Sequence, residues 1–148
     1  MDLGLKDKVV LCMASAAGLG KGIATEMARE GAKVMICTAE PFKDQLLEAQ
    51  AEIEKETGNR PETFLCDVNK AEDIEALVKH TVETLGDIYA LVNMCPGPKP
   101  GPFVSFDDAA WEGAFDVPAL LRKNHPCGTP VHETSRRRPY RKLNFFFR

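Results

Sequence analysis

Short, nearly continuous apolar runs alternate along this chain with stretches whose apolar residues recur every three or four positions. The runs fall at 9–13, 34–37, 63–66 and 88–92. Strands of that length, apolar on both faces, suit a parallel sheet covered on two sides. Between them, Leu19, Ile23, Ala24, Met27 and Ala28 fall on one helical face, and Gly31 follows as a stop. A weaker stripe of Leu46, Ala49 and Ile53 is flanked by Glu48, Glu52, Glu54 and Glu56 and ends at Gly58. A third stripe, Ile74, Leu77, Val78, Val82 and Leu85, closes at Gly86. Asn69 with Glu72 has capping-box spacing and predicts the start of that helix. Ser105 predicts another start, leading into Ala109, Ala110 and Phe115. Pro96, Pro98, Pro100 and Pro102 bar helix and ladder pairing, so that segment is expected as an exposed loop.

Strand–helix alternation at this spacing implies right-handed crossovers and an α/β fold, a Rossmann-type parallel sheet with helices on both faces. It occupies residues 6 to about 117. There the pattern stops. Residues 1–117 carry 11 Lys+Arg against 21 Asp+Glu, whereas 118–148 carry 8 against Glu133 alone. The net charge of −3 therefore averages an acidic domain and a basic tail. The expected division is a partial Rossmann domain at 1–117 and a basic, disordered tail at 118–148. Arg136, Arg137, Arg138 and the aromatic Phe145, Phe146 and Phe147 could attract nucleic acid. The Pro and Arg content and the abrupt onset favour instead a tail without a selected partner, from an altered reading frame or a truncated gene.

At 148 residues and 44% hydrophobic, the chain can build one core. It has no run of eighteen apolar residues to span a membrane. Its N-terminus, with Asp2, Lys6, Asp7 and Lys8, is too acidic for a signal peptide. Five cysteines without a C-x-x-C pair argue against a disulfide framework. A cytoplasmic protein with free thiols is the expectation. Cys12, Cys37, Cys66 and Cys95 fall near successive strand ends, where a metal or redox cluster is conceivable. Alternating strand faces and the frequency of buried cysteine favour simple packing. His125, Cys127 and His132 lack a fourth ligand, and His80 sits on a helix as a surface residue. No metal site is assigned.

The turn from Ala14 to Gly20 lies between the first strand and the first helix. Backbone N–H groups at such a helix start are unpaired and carry the positive end of its dipole, and glycines let a pyrophosphate approach them. The stretch from Lys8 to Ala24 resembles the T-G-x-x-x-G-x-G opening of the short-chain dehydrogenase/reductase family. Asp67 and Val68 resemble the acid–valine pair beside adenine after that family's third strand. Leu91, Val92 and Asn93 resemble the start of its N-N-A-G motif, and Trp111 through Val117 the helix that brings the catalytic Asn. The nearest subgroup is the 3-oxoacyl-acyl-carrier-protein reductase or sugar dehydrogenase type.

The resemblance implies the N-terminal half of an enzyme that moves a hydride between a nicotinamide dinucleotide and a carbonyl or alcohol. It implies adenine-side binding through Ala14, Ser15, Ala17, Gly18, Leu19, Gly20, Thr38, Asp67, Val68 and Asn93. Departures from the family pattern narrow that implication. Met13 and Ala14 replace Thr and Gly; Met94, Cys95 and Pro96 replace Asn, Ala and Gly; Pro118 falls at the catalytic Asn. The catalytic Ser is not found, and no Tyr-x-x-x-Lys exists, since Tyr89 lies in a strand and Tyr140 has Lys142 only two residues on. No catalytic residue is assigned, and the chain alone is expected to be inactive. The cofactor expected is NADP or NAD. Thr38 and Ala39 supply no acid for a ribose 2′-OH and Lys21 lies near the turn, which tips the balance to NADP. The alternative is a non-catalytic binding or assembly module with a basic tail. Lacking later strands, the sheet is also expected to expose an edge through which the chain self-associates.

Overall fold

The computed structural model describes residues 3–95 and 100–114. Its elements run β1 (Val9–Cys12), α1 (Gly18–Arg29), β2 (Lys33–Thr38), α2 (Lys43–Thr57), β3 (Glu62–Leu65), α3 (Ala71–Leu85) and β4 (Ile88–Val92). Short 3₁₀ turns occupy Glu40–Phe42 and Phe103–Ser105, and residues 108–114 are helical. Phe115, Pro118 and the whole of 118–148 lie outside the described residues, as does most of the proline segment.

All strand pairs are parallel, in the order β3-β2-β1-β4. The α/β reading therefore holds, with the strand order of the first half of a doubly wound sheet. Strand side chains alternate faces, which splits the core in two. Val10, Cys12, Val34, Ile36, Ala90 and Val92 face α1 and α2, against Ala24, Ala28, Leu46, Ala49 and Ile53. Leu11, Met13, Met35 and Cys37 face the other way, against Ile74 and Leu77 of α3. Only α3 lies on that second face among the described residues, and Ile88, Leu91 and Cys95 there stay partly exposed.

The small residues of α1 let it approach the sheet, and its far end is sealed by a residue from beyond α2. Asn59 Nδ2 donates to the carbonyls of Ala28 at 3.1 Å and Ala32 at 2.8 Å, joining the Gly31 amide that already bonds Ala28 O at 3.0 Å. Ion pairs of Lys21 with Glu52 and Arg29 with Glu56 join α1 to α2 on the surface.

Two helix starts differ from the sequence expectation. The N-cap of α3 is Lys70, with no side-chain cap. Asn69 instead donates through its amide and its side chain to Asp67 Oδ1, so a tight Asx turn takes the place of a capping box. Ser105 does not open the last helix either: its hydroxyl folds back on the Pro102 carbonyl at 2.7 Å. Asp107 caps that helix through Oδ1 to the Ala110 amide at 2.9 Å.

Candidate functional site

A parallel sheet sends all its strand ends to one rim, and every candidate residue lies there. Backbone hydrogen bonds lace the four ends together just past the ladders. Met13 N–H donates to Val92 O at 3.0 Å, Ser15 N–H to Cys37 O at 2.9 Å, and Cys66 N–H to Thr38 O at 2.8 Å. Ala14, Ser15, Thr38, Asp67 and Asn93 each belong to that lacing or sit one residue from it. The strand order reverses direction between β1 and β4, so the glycine turn opens at the switch point where such sheets bind ligands.

The turn splits into a buried root and an exposed crest. Ser15, Ala16 and Gly20 are buried; Ala17, Gly18 and Leu19 are exposed. Gly20 must be glycine, because a Cβ there would lie 2.5 Å from the Ala14 carbonyl oxygen. Gly18 has φ +56° with open space where a side chain would stand, leaving the approach to the helix start clear. The N-cap of α1 is Ala17, with no side-chain cap and no acid in the first turn. The amides of that first turn have no intrahelical acceptor, so they present donors and positive potential to the rim. These features fit a phosphate group.

Ser15 plays a different part from the others. Its amide is spent on Cys37 O and its hydroxyl donates to Cys12 O at 2.8 Å, so it offers a ligand no donor. Val68 is likewise buried, packed in the second core cluster with Met13, Cys37 and Cys66. Asp67 is half-buried, its carboxyl held below the usual carboxylate range by the amide and side chain of Asn69, with help from Lys70. Its own amide donates to Asp73 Oδ2 at 3.0 Å. Thr38 and Asn93 are half-buried at the ends of β2 and β4. Lys21, close by in sequence, points its ammonium to Glu52 rather than to the turn.

Among the described residues the thiols do not gather into a group that could hold a metal. Cys12 lies on the α1–α2 face, while Cys37 and Cys66 lie on the α3 face. Burial pushes the Cys12 thiol up to about 12. A hydrogen bond with Cys37, then burial, raises that of Cys66. Such thiols stay protonated and behave as packing groups. A cavity of about 380 Å³ lined by Lys43, Leu46, Leu47, Thr63, Phe64, Leu65 and His80 runs along the outer edge of β3 and includes no residue of the glycine turn. His80 is drawn there by its ring contact with Phe64, centroids 5.0 Å apart, which nothing in the sequence pattern signals.

A glycine turn at the switch point of a β3-β2-β1-β4 sheet narrows the family, and comparison decides it. Residues 8–119 match the model of the short chain dehydrogenase family. The chain belongs to that family. Among relatives, it is 29% identical over 114 residues to the 2,3-dihydro-2,3-dihydroxybenzoate dehydrogenase of Bacillus subtilis, covering 77% of this chain and 42% of that one. It is similar in structure to L-sorbose reductase from Gluconobacter frateurii, solved with NADPH and L-sorbose, at 26% identity and TM-score 0.69. That match covers 84% of this chain and 48% of the other. A short chain dehydrogenase from Bacillus anthracis matches at 30% identity and TM-score 0.69, over 80% and 50%. The chain thus spans about half the length of the family members it matches. Among the described residues no helix is long and apolar enough to cross a membrane.

Proposed function

We propose that this chain binds a nicotinamide dinucleotide, pyrophosphate first, at the turn between β1 and α1. The observation that carries the reading is the bare helix start: α1 has no side-chain cap and no acid in its first turn, whereas α2 begins with Asp44 and α3 with Glu72 and Asp73. A positive helix end without a side-chain cap or acid of its own, beside two glycines, suits an external anion. In this reading the amides of Gly18, Leu19 and Gly20 hold the phosphates, and Thr38, Asp67 and Asn93 flank the adenosine half. Ala14, Ser15, Ala17 and Val68 shape the surface beneath.

When bound, such a cofactor supplies a hydride donor or acceptor. The chain itself supplies no family general acid, having no Tyr-x-x-x-Lys. Its contribution is to bind and orient the adenine side, with carbonyl reduction needing groups it lacks. The absence of an acid at Thr38 and Ala39 supports NADP over NAD. The NADPH in the Gluconobacter reductase is compatible with that choice. Lys21 gives it no support, since its charge is engaged by Glu52.

Calorimetric titration of the purified chain with NADPH and NADH tests the reading. Weak binding, tighter for NADPH, is expected, and Gly18→Val should abolish it by placing a side chain in the phosphate's path. Adding diverse ketones should leave NADPH absorbance constant. Equal binding by parent and variant would place the ligand elsewhere.

A further inference from the structure

The most constrained residue of the turn is not a glycine. Ala14 has φ +46°, in the left-handed region that costs an L-residue with a Cβ. It stands where the family's opening motif has glycine. Its neighbours restrain it in part: the Met13 amide bonds to Val92 O on β4 and the Ser15 amide to Cys37 O on β2. Its carbonyl oxygen lies against Gly20, so the Ala14 peptide also fixes where α1 begins.

Ser15 adds two hydrogen bonds that backbone alone cannot supply. Its hydroxyl donates to Cys12 O at 2.8 Å and accepts from Cys37 N–H at 3.2 Å, and the residue is fully buried. One side chain thereby staples the end of β1 to β2 directly behind the strained alanine. Resting on the dinucleotide reading above, we propose that Ser15 is a positioning residue. Its hydroxyl holds Ala14 left-handed and so aims the α1 amides, doing by hydrogen bonding what glycine does by conformational freedom.

The test is a double-mutant cycle in the full chain with NADPH as probe. Ser15→Ala should weaken NADPH binding about tenfold, because the turn is free to relax away from the left-handed geometry. Ala14→Gly alone should change affinity by less than about threefold. The double variant should return to within about twofold of the parent, since glycine needs no latch. Stability should behave otherwise: Ser15→Ala should lower the denaturation midpoint in both backgrounds, because the Cys37 amide loses its acceptor either way. Rescue of affinity without rescue of stability separates positioning from packing. A double variant as weak as Ser15→Ala, or a Ser15→Ala variant binding like the parent, overturns the proposal.

If the parent binds no NADPH, the dinucleotide reading fails while the latch is still measurable by hydrogen exchange. Ser15→Ala should then speed exchange at the amides of Ser15 and Cys37, and Ala14→Gly should restore only Ser15. Unchanged exchange at both overturns the latch. Should Ser15→Ala not fold, Ser15→Cys, with a weaker donor and acceptor, takes its place with the same expectations reduced in size.

Discussion

The turns after β1 and β3 begin alike and finish in opposite ways. Each follows a parallel strand, each leads into a helix lacking a side-chain N-cap, and each is rooted beside a buried cysteine. After β3, the protein fills the positive helix end itself. Glu72 and Asp73 occupy the first turn of α3, Asp73 takes the Asp67 amide, and Asp67 takes both donors of Asn69. After β1, the Ser15 hydroxyl points inward, toward the sheet, and the helix end is left bare. One supersecondary unit thus serves as a self-neutralised joint in one place and, in the proposed reading, an anion site in another. What differs is where short polar side chains are aimed.

The harshest way to break the comparison is to block the close approach that forms the bare end. Gly20→Val would put a Cβ 2.5 Å from the Ala14 carbonyl, against backbone that is tied to both neighbouring strands. A loss of about 3 kcal/mol is expected, at the upper end for overpacking, together with loss of nucleotide binding. Urea denaturation checks it. A midpoint like the parent's would mean that α1 can shift without cost, which removes the case for a rigid site.

Next comes the alkaline side, where both turns share a weakness. Cys12 roots the first and Cys66 the second, and both thiols are raised, Cys12 to about 12 by burial. A folded value above the unfolded one means that the native state holds its proton longer. Stability is then full below about pH 9 and declines toward 12, by up to about 1.4 kcal/mol per pH unit for each such thiol. The decline should vanish in part in Cys12→Ala, measured against its own neutral-pH stability. A pH profile of the variant parallel to the parent's would clear Cys12 of the effect.

Much of this is legible in the sequence, for a physical reason: buried parallel strands and amphipathic helices announce themselves by period. The four apolar runs correspond to the four strands, and Gly20 marks a close backbone approach that demands glycine. Short polar residues are harder, since Ser, Asn and Asp can bond locally in several ways. The spacing of Asn69 predicts a cap, yet the residue serves an Asx turn; Ser105 predicts a helix start that Asp107 provides. The family resemblance makes Ser15 a ligand contact, yet it faces the core, because only the strand geometry decides which way its hydroxyl turns. The match of family and sheet order follows from pattern, whereas the finish of each turn depends on side-chain direction.

A gentler change would convert one turn toward the other. Leu19→Glu places a carboxylate in the first turn of α1, at an exposed position, as Glu72 stands in α3. The helix should gain a few tenths of a kcal/mol from the dipole while NADPH binding falls about tenfold through charge repulsion and occupied donors. Thermal melts and titration at low salt measure the two together. Unimpaired binding would show that phosphate does not sit at this helix end, even if the protein binds a dinucleotide.

The smallest expected effect concerns Lys21, a cation close in sequence to the bare end. A lysine there would ordinarily be credited with attracting the extra phosphate of NADP. Its ammonium is held by Glu52 across the α1–α2 surface, in an ion pair with one side chain about a third exposed and the other mostly exposed. Such a pair contributes under about 1 kcal/mol, and the lysine already has a carboxylate partner before any ligand arrives. Lys21→Met should therefore shift stability by no more than about 0.5 kcal/mol and leave the ratio of NADPH to NADH affinity within about twofold. The controlling variant is Glu52→Gln, which frees the lysine. If the pairing is what silences Lys21, that variant should raise NADPH affinity modestly at low salt and lose the gain at high salt. A fall in NADPH preference with Lys21→Met alone would mean that the ammonium leaves Glu52 for the ligand, and the bare end would then owe part of its charge to a side chain.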